Sequence, residues 1–162
     1  MKIGPDMKRM LSLARREQGE LGELSPLLKK WSEHLFPVQL EALSVQESLP
    51  KPMGLWGDIP VGEGKSLIAY LLPRLLDIPK ALVLTKAKLV KQAPKTAERF
   101  KATFPEVEGY EPVYESYSRL AHKNNARMLH ELRPGIIILD EAHSVLSSKN
   151  TSTKRLFDYV ET

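Results

Sequence analysis

Cysteine is absent from the 162 residues, which excludes disulfide frameworks and thiolate zinc sites. Its absence accords with an intracellular protein, placed here in the cytoplasm with the nucleus left open. Long apolar runs are missing too: no stretch is long enough to span a bilayer as a helix, so no membrane partner is expected. The opening "MKIGPDMKRMLSLARREQGELGEL" lacks the continuous apolar segment of a signal peptide, and Asp6, Glu17, Glu20 and Glu23 are out of place in a transit peptide. A strong charge of either sign is lacking. The net charge of +4 and pI near 9.2 permit a nucleic-acid partner without naming one. No internal repeat is visible. What remains, 42% hydrophobic and 27% charged residues over a one-domain length, is ordinary for a globular chain with a real core.

Along the chain, Met7 to about Glu17 reads as a short basic helix. "SPLLKKWSEHLF" offers Ser25 as N-cap, Pro26 at the first helical position and Leu27, Leu28, Trp31 and Leu35 as an apolar set. "PVQLEALSVQESL" reads as a third helix, with proline again in its first turn. The pattern then changes to short apolar runs alternating with helices: "MGLWG", a helix from Lys65, "ALVLT", a helix from about Lys86, "PVYES", a helix near Leu120 to Leu132, and "GIIIL". Such alternation implies an α/β fold with a parallel sheet and helices on both faces. Ligands on such sheets sit beyond the carboxyl ends of the strands.

Two stretches can carry chemistry. "DIPVGEGKS" fits a phosphate-binding loop at Gly64, Lys65 and Ser66, while Ile59 fills the outer glycine position. Gly62 and Gly64 let backbone N–H groups converge on an anion, and the helix opening at Lys65 adds its positive end there. Lys65 is expected to reach the β- and γ-phosphates and Ser66 to ligate magnesium. A plain glycine-rich turn is the alternative. In "IIILDEAH", Ile136 to Leu139 read as a buried strand that delivers Asp140 and Glu141 at its carboxyl end. Asp140 can hold Mg²⁺ and Glu141 can orient and deprotonate a water. A surface acidic pair is the alternative.

Between Lys80 and Lys101, Lys88, Lys91, Lys95 and Arg99 recur at three- and four-residue steps and share a helical face, with Pro94 as a possible kink. Phosphate contact is one reading, a solvated face the other. Lys86 and Lys88, nearest the strand end, are the better candidates. The four histidines, His34, His122, His130 and His143, are scattered and read as surface or packing residues. Trp31 and Trp56 read as core.

Taken together, "PVGEGKS" and "DEAH" resemble motifs I and II of the superfamily two helicases and translocases, and further segments follow in the family's order. "FPVQLEAL" resembles the segment whose glutamine reads the adenine edge, "ALVLTKAKLVKQ" motif Ia, and "YESYSRL" the motif Ib region. "DEAHSVLSSKNTSTKR" is similar to the Swi/Snf-type translocases. The resemblance covers roughly Phe36 to Arg155. It implies a RecA-like domain over residues 36–162, preceded by a helical segment over 1–35, that binds ATP and Mg²⁺. It also implies a nucleotide site of Gln39, Val61, Gly62, Glu63, Gly64, Lys65 and Ser66, with Ser66 and Asp140 at the metal and Lys65, Asp140 and Glu141 catalytic. Lys86, Lys88 and Ser116 would face nucleic acid, DNA rather than RNA, and His143 would couple the ATP site to motif III. In the family the outer position of motif I is commonly alanine or an acidic residue, so Ile59 departs in bulk rather than in kind.

The family works with two RecA-like domains, and this sequence reaches Thr162 before any motif III. It is therefore expected to need a second such domain, in cis or in trans, and to hydrolyse ATP very slowly alone. Two other classes stay open. A silent RecA-like scaffold for DNA or protein is favoured by Ile59 and disfavoured by the intact Lys65, Ser66, Asp140 and Glu141. A P-loop kinase unrelated to nucleic acid is disfavoured by the DEAH tetrapeptide.

Overall fold

Ser25 starts the first helix as its residue type predicts. In α1, Pro26–Trp31, the Leu28 N–H donates to Ser25 Oγ at 3.3 Å, and the proline sits where it has no needed donor to lose. The structure is a computed structural model that describes residues 22–49, 59, 62–142 and 150–160. After a tight turn over Ser32–His34 come α2, Pro37–Ser48, then α3, Lys65–Leu75, and the strand β1, Ala81–Thr85. The helix α4, Ala87–Thr103, runs through Pro94 without ending there, and leads to β2, Val113–Ser116. Two short helices, α5 (Tyr117–Ala121) and α6 (Met128–Leu132), precede β3 (Ile136–Leu139), and α7 (Thr151–Val160) closes the described chain.

The single helix expected over Leu120 to Leu132 is thus two helices with a turn at Lys123–Asn125 between them. His122 adopts an extended backbone and its Nδ1 accepts the Asn124 N–H at 3.3 Å, while Asn125 Nδ2 donates to the Arg119 carbonyl at 2.9 Å. Polar side chains that bond the local backbone compete with helix continuation, and they win here. The expected helix at Met7 and strand at "MGLWG" lie outside the described residues, as do Trp56 and His143.

The three strands form one parallel sheet in the order β2-β1-β3, giving an α/β fold. Every residue of β1 is buried, as a central parallel strand covered on both faces requires. Its side chains alternate. Leu82 and Leu84 pack with Tyr117, Leu120, Met128, Leu129 and Leu156 from α5, α6 and α7. Val83 and Thr85 face the other way, toward Ala69 of α3 and Ala93 of α4. By contrast, Ile136 to Leu139 are only half-buried, where the sequence reads as a buried strand. Among the described residues β3 pairs with β1 along one edge alone, which leaves its side chains less covered.

A second core joins Leu28 and Trp31 of α1 to Leu43 of α2, Tyr70, Leu71 and Leu75 of α3, and Phe104 and Val107. Trp31 is 1% exposed, meets Phe104 edge-on at 5.9 Å, and donates from Nε1 to Glu106 Oε2 at 3.2 Å. Glu106 also pairs with Lys30, and that hydrogen-bonded ammonium is the main reason its carboxyl is held below its ordinary range. No helix of the described residues is long and apolar enough to cross a membrane.

Candidate functional site

Gly62 and Gly64 both carry positive φ, +94° and +73°, a backbone that side chains rarely adopt. A Cβ at Gly64 would also collide with the Gln39 carboxamide. These two facts explain the glycines locally and fix the turn that brings Lys65 to the first position of α3. Gln39, 3% exposed, ties α2 to this loop: its Oε1 accepts the Phe36 N–H at 3.0 Å and its Nε2 donates to the Glu63 carbonyl at 2.9 Å. It therefore sits against the loop as the sequence order suggests, with its amide engaged by protein. Val61 lies outside the described residues.

The carboxyl edge of the sheet supplies the opposite wall. Leu84 and Leu139 are in register, and the Asp140 N–H donates to the Leu84 carbonyl at 2.9 Å, continuing the ladder one residue past β3. Asp140 and Glu141 therefore leave the sheet beside Thr85. Lys65, Ser66, Thr85 and Asp140 line one cleft of about 130 Å³, completed by Ala69, Val83, Leu89, Gln92, Ala93, Thr96 and Tyr114. The Lys65 ammonium bonds the Ile59 carbonyl at 2.9 Å and stands 3.8 Å from Glu141 Oε1. Glu141 has a φ of +55°, a left-handed backbone for a residue with a side chain, which costs on the order of 1–3 kcal/mol. Asp77 and Arg133, away from the cleft, have the same left-handed backbone.

Sequence reasoning missed three residues around Asp140. Thr85, 2% exposed, donates from Oγ1 to Asp140 Oδ2 at 2.7 Å. Tyr117 donates its hydroxyl to the Asp140 carbonyl at 2.7 Å, and burial, reinforced by the charges of Asp140 and Glu141, pushes its ionisation up so that it keeps that proton. Tyr114 is pushed up to about 12, first by burial and then by Tyr70 and Asp140. Both phenols are neutral at physiological pH, and Tyr117 is the one with an acceptor at Asp140. The usable signal for Thr85 was its place at the carboxyl end of the "ALVLT" strand.

The donor set suits magnesium bound with phosphate. Among the described residues no three acidic or histidine side chains cluster as an all-protein cage. One carboxylate and one hydroxyl beside a lysine are what a Mg²⁺ held jointly with phosphates asks for. Gly62, with positive φ and nothing close to where a Cβ would stand, leaves open backbone for an anion, while the same space at Gly64 is taken by the Gln39 carboxamide. The residues present therefore fit a magnesium–phosphate pair.

The nucleic-acid candidates separate. Lys86, Lys88, Lys91, Lys95 and Arg99 are exposed, and among the described residues none of them makes an ion pair, whereas Lys101 is neutralised by Glu108 and Glu111. From Lys88 to Arg99 the stripe runs about 16 Å along α4. Ser116 is buried, 9% exposed, and its hydroxyl accepts the Arg119 N–H at 3.1 Å as the cap of α5. Its hydroxyl is thus taken up inside the fold, since a residue ending a covered strand and starting a helix finds its partner in the helix. The described histidines pack or bond locally: His34 against Phe104, His130 against Tyr159, and His122 to Asn124. Comparison of the chain with family models, with curated proteins and with solved structures returned no match.

Proposed function

We propose that the chain is a P-loop nucleotide-binding lobe that takes ATP with Mg²⁺. More particularly, we read it as the first RecA-like lobe of a superfamily two DNA helicase or translocase. One observation carries the reading: the neighbours Lys65 and Ser66 line one cleft with Asp140, which is remote from them in sequence, and Glu141 stands 3.8 Å from the lysine. In this reading Lys65 would exchange the Ile59 carbonyl for the β- and γ-phosphates, and Ser66 and Asp140 would hold the metal. Glu141 would orient a water and take its proton as the water attacks the γ-phosphorus and ADP leaves. The metal supplies charge neutralisation between the phosphates when bound.

Turnover by this lobe is expected to be slow. Among the described residues no arginine lines the cleft, and Arg155 is committed to the Leu120 and His122 carbonyls. An arginine finger is worth about 10³ to 10⁵ in rate at comparable sites, so a second RecA-like domain is the partner this reading asks for. Calorimetry with ATP and Mg²⁺ tests it: heat that saturates at one site supports an ATP lobe, and its absence leaves a silent scaffold.

The unpaired stripe on α4 supports nucleic acid as the second ligand. Binding of a single-stranded oligonucleotide is expected to weaken steeply with salt, and Lys88→Gln to lower the log–log salt slope by about 0.7. A slope equal to that of the unsubstituted chain, measured by fluorescence anisotropy, would return the stripe to a merely solvated face.

A further inference from the structure

Asp140 is held from three directions. Its N–H is bonded to the Leu84 carbonyl, its carbonyl oxygen receives the Tyr117 hydroxyl, and its Oδ2 receives Thr85 Oγ1 at 2.7 Å. The first two bonds fix the backbone; only the third fixes the carboxylate. Thr85 has the means to do so. It is 2% exposed, it ends the fully buried central strand, and its β-branched side chain is stiff at χ1. Its side chain shares the cleft with Lys65 and Ser66. With Oδ2 taken by the threonine proton, Oδ1 carries no hydrogen bond among the described residues and is the oxygen left for a cation.

We propose that Thr85 is the positioning residue of the metal site, holding the Asp140 carboxylate so that its second oxygen meets the Mg²⁺ that accompanies the nucleotide. The inference rests on the ATP reading above and deepens it. A hydroxyl that donates to one oxygen of a ligating carboxylate removes that group's rotation about its last bond, so the carboxylate is ordered before the metal arrives. Outer partners of this kind change metal affinity by about 10- to 100-fold when removed. A threonine serving only to tie two strand ends would contribute to stability and leave the metal alone, and this difference can be measured.

The experiment compares the affinity of a fluorescent ATP analogue in Mg²⁺ and in EDTA for the unsubstituted chain, Thr85→Val and Thr85→Ser. Valine keeps the shape and β-branching and removes the proton, while serine restores the proton. For the unsubstituted chain, Mg²⁺ is expected to tighten binding. In Thr85→Val the EDTA affinity should be unchanged and the Mg²⁺ increment should fall about 10-fold or vanish, and Thr85→Ser should recover it. An undiminished increment in Thr85→Val overturns the proposal, as does an equal loss with and without metal, which would mean a disturbed loop. Should the valine variant fail to fold, as judged by circular dichroism, Thr85→Ala carries the same expectation. If the unsubstituted chain binds no nucleotide under either condition, the ATP reading itself fails and the proposal falls with it. Nucleotide binding with an intact increment in Thr85→Val would remove the proposal alone.

Discussion

Lys65→Ala is expected to lower ATP·Mg²⁺ affinity by about 100-fold or more. The figure follows from two charge-assisted contacts to phosphate, each worth about 1.5–3 kcal/mol, at about 1.4 kcal/mol per tenfold in affinity. In the free chain the ammonium already has partners, the Ile59 carbonyl at 2.9 Å and Glu141 at 3.8 Å. The lysine is therefore exchanged between partners rather than drawn from bulk water, and the measured loss is the difference between the two sets. Its removal also takes the Lys65 ion pair from Glu141, whose backbone is left-handed. The fold should survive: Lys65 is only half-buried, and alanine is the best helix former for the first turn of α3. Calorimetry on the folded variant checks both parts. Affinity equal to that of the unsubstituted chain would place the nucleotide elsewhere.

The largest effect on stability is expected from Trp31→Ala, about 3–5 kcal/mol by the usual cost of deleting a fully buried tryptophan. Trp31 belongs to the helix before Phe36 and packs with Leu43, Leu71 and Phe104 from beyond it. Its loss would open a cavity between α1 and the body that carries the loop. Set against a typical stability of about 5–15 kcal/mol, the change should shift chemical denaturation markedly. Trp31→Phe keeps much of the apolar contact but removes the donor to Glu106 and part of the ring volume, so it should cost less than alanine, about 1–3 kcal/mol. A denaturation midpoint for Trp31→Ala within error of the original would mean that α1 does not contribute to the core.

What the sequence disclosed, and what it hid, follows from the range of each interaction. The positions of Lys65, Ser66 and Asp140 were legible because a loop motif and a strand-end motif obey local rules, and a parallel sheet brings strand ends to one edge. The α/β class was legible from the alternation of elements. Thr85 was not: a threonine ending an apolar strand has no visible partner until the register of β1 against β3 sets it beside Asp140. Tyr117 escaped for the same reason, its acceptor being a backbone carbonyl more than twenty positions away. Gln39 was singled out through a resemblance, whereas its bond to the Glu63 carbonyl is a feature of packing. The break between α5 and α6 was written in His122 and Asn125, whose side chains bond the nearby backbone.

The most direct test of the central claim is amide NMR of the isotopically labelled chain titrated with ATP and Mn²⁺. Mn²⁺ replaces Mg²⁺ and broadens resonances of nearby nuclei. Signals from Gly64, Lys65, Ser66 and Asp140 are expected to broaden first and together, with Thr85 close behind, and to stay sharp when ATP is omitted. Broadening centred on another part of the chain, or none at saturating nucleotide, would contradict an ATP·metal site between the glycine loop and the strand-end carboxylates.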